Sequence, residues 1–176
     1  GVIIADDMTH TGTFRVNNDG NNQAIAFGGN VTSAVTLGDN SGTDTVTATF
    51  NSGDAATVNG VISGGGAADT VALVFSGGST ITLSGAATTN IDTVRVSGNS
   101  TLDSDAAITA TTITVDSGST LDQGAGAINA AIANNGTLQI TGAGAITGNI
   151  SGTGALDIDT GATLSGSVTQ GSADIA

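Results

Sequence analysis

Cysteine, proline, tryptophan and tyrosine are absent from this chain of 176 residues, and four phenylalanines are its only aromatics. A bulky globular core cannot be built from that inventory, because the large side chains that fill one are missing. There is no thiol and no lysine, and His10 is the sole histidine. No serine lies in a motif that would supply it with a general base, so the sequence reads as non-enzymatic. The lack of disulfides leaves the compartment open, since oxidising environments permit such bonds without requiring them. Cations are almost as scarce: Arg15 and Arg95 stand against fifteen aspartates and no glutamate, for a formal net charge of −13. That balance excludes nucleic acid as a partner, because binding phosphates needs a basic surface. No stretch approaches about eighteen consecutive apolar residues, so no membrane-spanning helix is encoded.

What is present is small and repetitive. Phe75-Ser-Gly-Gly-Ser-Thr-Ile81, Val96-Ser-Gly-Asn-Ser-Thr-Leu102, Val115-Asp-Ser-Gly-Ser-Thr-Leu121, Ile132-Ala-Asn-Asn-Gly-Thr-Leu138 and Ile150-Ser-Gly-Thr-Gly-Ala-Leu156 share one phrase, two apolar residues around a polar turn. Looser copies run from Phe50 to Val58 and from Val168 to Ile175. The first apolar position falls at 50, 75, 96, 115, 132, 150 and 168, giving steps of 25, 21, 19, 17, 18 and 18 residues. A third apolar position follows at Ile108, Ile128, Ile146 and Leu164. Around these corners apolar and polar residues alternate, as in Val46, Ala48 and Phe50 against Thr45, Thr47 and Thr49. Alternation of period two marks half-buried strands.

Repeats of about 20 residues with strand patterning specify a solenoid, in which a coil cannot bury its apolar face alone but a stack can. The expected fold is therefore all-β: a parallel β-solenoid of about seven coils of 17–25 residues, three-walled because each coil has three apolar corners. A narrow lumen needs only Thr, Ala, Val, Ile and Ser. Disorder, the other reading of a Gly- and Ser-rich chain, does not keep an apolar register. The solenoid is expected over residues 37–176. Residues 1–36, where Phe14, Val16, Ile25 and Phe27 fall outside the coil spacing, are expected to form an irregular segment, either a cap or an assembly arm. The start, Gly1-Val-Ile-Ile-Ala-Asp-Asp, lacks the basic region of a signal peptide, so the chain reads as processed or as an excerpt.

The aspartates have two readings. Turns favour Asp, and surface charge keeps an edge-rich β-protein soluble. Alternatively, Asp39-Asn-Ser-Gly-Thr-Asp44-Thr-Val46 and Gly64-Gly-Gly-Ala-Ala-Asp69-Thr-Val71 resemble the calcium-binding nonapeptide of RTX proteins. That resemblance implies calcium as a cofactor, with Asp39, Asp44 and Asp69 as its metal residues and the glycine-rich turns supplying carbonyl oxygens. The copies lie 25 residues apart, and Asp92-Thr-Val94 repeats the phrase with no glycine close before it. Asp103/Asp105 and Asp157/Asp159 are pairs spaced two apart, a geometry for a weak surface site or for none. Four Asn-x-Ser/Thr sequons, at Asn30, Asn99, Asn135 and Asn149, are what chance produces in this composition.

The phrases Gly-Asn-Ser-Thr-Leu, Ser-Gly-Ser-Thr-Leu and Asn-Gly-Thr-Leu-Gln-Ile, with Gly-Ala-Gly-Ala-Ile between them, resemble the passenger regions of bacterial autotransporters and related surface adhesins over roughly residues 37–176. The resemblance implies an extracellular β-helix at a bacterial cell surface, used as a stalk or adhesive element, with a host or neighbouring-cell surface as its partner. Two other functions fit the repeat. One is a self-assembling filament or surface-layer subunit that adds copies of itself end to end through unpaired strands; the other is a calcium-dependent RTX-like module.

Overall fold

The computed structural model describes residues 1–16, 22–39, 42–66, 68–85, 87–159 and 161–175. The described residues contain strands and turns and no helix, and every strand pairing is parallel. The chain winds as a β-solenoid of about eight turns. At a strand spacing of about 4.8 Å, that stack is a rod on the order of 40 Å long.

Three walls enclose the lumen. The first runs through Val2–Ile4, Asn22–Phe27, Thr45–Asn51 and Thr70–Ser76, then through the latter parts of Thr88–Val96, Ile108–Val115 and Ile128–Asn134, and on to Ile150–Ser151 and Val168–Thr169. The second comprises Ala56–Val58, Thr80–Leu83, Thr101–Ser104, Thr120–Gln123, Thr137–Ile140, Ala155–Ile158 and Ser172–Ile175. The third comprises Thr13–Val16, Ala34–Leu37, Ile62–Gly64, the opening residues of the three long strands, Ala145–Thr147 and Thr163–Ser165.

Alternation within each strand sends one set of side chains inward. Thr45–Asn51 buries Val46, Ala48 and Phe50 and turns Thr45 and Asn51 to solvent. Stacked coils superpose these choices. One inward row reads Ile25, Ala48, Leu73, Val94, Ile113, Ile132 and Ile150, all buried. The next reads Phe27, Phe50, Phe75, Val96 and Val115. In it the rings of Phe27, Phe50 and Phe75 stack at 5.0 and 5.1 Å, and Phe14 meets Phe27 edge-on at 6.3 Å. Each such side chain gains its burial from the coils above and below, so no single coil is stable alone.

Two expectations change. Pairing continues through the segment expected to be irregular: Val2–Ile4 lies on Ile25–Phe27, Asn22–Phe27 on Thr45–Phe50, and Thr13–Val16 on Ala34–Leu37. In these first coils the second wall shrinks to single bridges, Met8 to Val31 and Val31 to Val58. The two-apolar phrase is therefore missing from the sequence while the coil is present. The second change is one of register. Ile132 sits on Ile113, and Val115 is matched by Asn134. From the fifth copy onward the first apolar position thus slips by two residues, which keeps every side chain on the same face because strand alternation has period two. Asn134, fully buried, takes the place of an aliphatic residue. It is compensated by bonds from Nδ2 to the Ala155 carbonyl and to Gln170 Oε1, both 2.7 Å, and by the Gly136 N–H on its Oδ1.

Candidate functional site

The corner between the third and first walls gathers the aspartates suggested by the sequence. Asp44 and Asp69 are buried, at 1% and 6% exposure, and occupy the same position in adjacent coils just before the paired residues Thr45 and Thr70. Asp69 Oδ1 accepts the Asp44 N–H at 3.1 Å and Oδ2 accepts the Gly66 N–H at 2.9 Å. The Gly66 N–H also reaches the Asp39 carbonyl oxygen, so all three residues meet at one corner. One coil further on, Asp92 Oδ2 accepts the Val71 N–H at 2.7 Å. A carboxylate carries several lone pairs and suits this capping of backbone donors that wide corners leave outside the strand ladder.

This geometry is that of a backbone staple. Calcium takes about six to eight oxygens, yet both oxygens of Asp69 face N–H groups, and no cluster of three or more Asp, Glu, His or Cys able to hold a metal occurs among the described residues. Among the described residues, the donor set that the RTX resemblance implies is not assembled. Asn40, Ser41 and Ala67 of the two glycine-rich phrases lie outside the described residues. The first two Asp-Thr-Val phrases superpose, and the third, at Asp92, does not. Thr93 pairs with Ala72, which puts Asp92 beside Val71, two residues along the strand from Asp69. A cleft of about 210 Å³ opens here, lined by Gly66, Asp69, Asn90, Ile91, Asp92 and Thr111.

The second wall carries the feature that residue spacing missed. Its outward row reads Thr82, Asp103, Asp122, Gln139, Asp157 and Asp174, in unbroken register. Beside it runs a row of Thr80, Thr101, Thr120 and Thr137. Burial, then the neighbouring charges of Asp122 and Asp105, push the Asp103 carboxyl above its ordinary range. Thr141 relieves Asp122 by donating its hydroxyl at 2.8 Å. The pairs read within one coil separate: Asp103 is in strand Thr101–Ser104 and Asp105 follows it, and Asp157 is in Ala155–Ile158 with Asp159 beyond. The closer charge relation is between coils, and the phrase Thr-Leu-Asp at 101–103 and 120–122 was its signal.

The third wall is uncharged along most of its outward row. Its outward row is Thr36, Ser63, Thr89, then Thr109, Asn129, Thr147 and Ser165, after Arg15 in the first coil. On the first wall Arg95 pairs with Asp116 of the next coil, 2.7 Å between Nη2 and Oδ2 and exposed to solvent. His10 is exposed, its backbone N–H and carbonyl both bonded to the Ser33 hydroxyl at 2.7 Å. No protein-family model matches the chain, and no curated protein or solved structure matches it either.

Proposed function

We propose that this chain is an extracellular, non-enzymatic element of a bacterial cell surface, a stiff solenoid rod serving as a stalk or adhesive wall. The observation that carries the reading is the unbroken register of its outward rows, seen most clearly in Thr82, Asp103, Asp122, Gln139, Asp157 and Asp174. A wall that presents similar groups every 4.8 Å or so suits many weak contacts acting together, because tethered contacts reinforce one another. Stiffness has the same origin as the fold, since bending would open contacts among coils that depend on their neighbours for burial.

The test is attachment. Bacteria displaying the chain from an unrelated anchor should bind host cells or neighbouring bacteria more than bacteria displaying an unrelated solenoid of equal length. Equal binding removes the adhesive role. Negative-stain electron microscopy of the purified chain separates the remaining readings: discrete short rods support a stalk, and long uniform fibres favour end-to-end assembly in its place.

A further inference from the structure

Two Asn-Gly steps occur in the described chain, Asn59-Gly60 and Asn135-Gly136. Glycine after asparagine offers the least hindered backbone nitrogen, because it has no Cβ. Asn135 stands at the exposed corner between the first and second walls of its coil. Its side-chain oxygen Oδ1 accepts two bonds from the next coil, from the Thr153 N–H and the Thr153 hydroxyl, each 3.3 Å. The neighbouring Gly136 N–H is held by a side chain, Oδ1 of the buried Asn134, at 3.2 Å.

From this arrangement we propose that Asn135 is a self-modifying site that deamidates in the folded protein, with Thr153 as a positioning residue. When the Gly136 N–H swings off Asn134 Oδ1, solvent base takes its proton and the nitrogen attacks Cγ of Asn135. Negative charge gathers on Oδ1, where the two Thr153 donors already point, and donors placed at a developing oxyanion lower its barrier. The Cγ–Nδ2 bond then breaks, and Nδ2 leaves as ammonia with a proton returned from solvent. Water opens the resulting five-membered imide at either carbonyl, yielding aspartate or isoaspartate, and no electrons are exchanged. At Asn59 the Ser84 hydroxyl reaches Oδ1, and Gly60 is buried where Gly136 is half-buried. Asn59 is therefore the slower site.

The product alters the stack. Asn135 N–H bonds the Val115 carbonyl at 2.8 Å and Thr137 N–H bonds that of Ser119 at 2.9 Å. Isoaspartate inserts a methylene into the main chain between these two bonds, so one of the two walls loses register. Either product also adds a carboxylate to a chain already at −13.

The test incubates the intact folded chain in mildly alkaline buffer and follows each asparagine by peptide mapping with mass spectrometry. Asn135 should convert before Asn59, in part to isoaspartate. Thr153→Val should slow it by about tenfold, the rate equivalent of one neutral hydrogen bond, and Thr153→Ser should restore the parental rate. In guanidinium, where the coils are apart, the parent and Thr153→Val should convert alike. The proposal is overturned if Asn135 keeps its amide while Asn59 converts, if Thr153→Val matches the parent in native buffer, or if the slowing persists in guanidinium.

Discussion

Early and late coils round the same corner differently. From Leu37 to Thr45 and from Gly64 to Thr70 the chain leaves the third wall, crosses a glycine-rich corner and only then starts the first wall. Later, Thr88–Val96 turns the corner within a single strand, with Asn90 at a φ of 53°, and Ile108–Val115 and Ile128–Asn134 do the same. The shrinking repeat length is lost mainly at this corner. Wide corners leave backbone N–H groups outside the ladder, which Asp69 and Asp92 satisfy, and they accompany a lumen wide enough for Phe27, Phe50 and Phe75. Narrow corners keep the chain in strand through a local register shift, and Val, Ile and Leu fill most of the lumen.

The largest effect should come from emptying the wide lumen. Phe50→Ala removes the middle ring of the stack and should cost about 3–5 kcal/mol, against about 2–5 for Ile113→Ala in the narrow part; denaturant midpoints of the two variants measure the difference. Asp69→Ala comes next. It takes the carboxylate acceptor from the Asp44 N–H and leaves the Gly66 N–H with the Asp39 carbonyl alone. Removing the acceptor of a buried donor costs about 1–3 kcal/mol. Hydrogen exchange should show early coils opening in this variant while late coils stay protected. If calcium rather than the carboxylate's backbone bonds held the corner, adding the ion to the parent would raise its unfolding midpoint, and we expect no shift.

On the second wall the expected effect is smaller and depends on pH. A carboxyl whose folded pKa is raised keeps its proton longer in the folded state, so its contribution to stability falls as pH rises through the folded value. For Asp103 that window opens at the ordinary Asp range and extends above it. Asp103→Asn should therefore stabilise the protein at neutral pH, by no more than about 0.5 kcal/mol after solvent screening, and give no gain below the Asp range; thermal melts across pH measure this. The smallest change belongs to Arg95→Ala, which removes an exposed, solvent-screened pair whose contribution falls further in high salt; melts at low and high salt measure it.

The repeat, its parallel stacking and its three apolar corners were legible because apolar spacing reports burial directly: Ile81, Leu102, Leu121, Leu138 and Leu156 share one row, and Ile108, Ile128, Ile146 and Leu164 another. Spacing measured along the chain is silent about which residue lies on which one coil away. So Asp92 repeats the phrase of Asp69 but is displaced from it by two, Ile132 looked equivalent to Val115 and rests on Ile113, and the first coils, without the two-apolar phrase, looked irregular. The candidate site was legible only as a supply of aspartates. Whether a carboxylate meets a backbone N–H, as Asp69 does, or another carboxylate, as Asp103 does, is set by register between coils. Composition and period are local quantities and belong to the sequence; register arises from many coils closing on a common lumen, and only the assembled stack sets it.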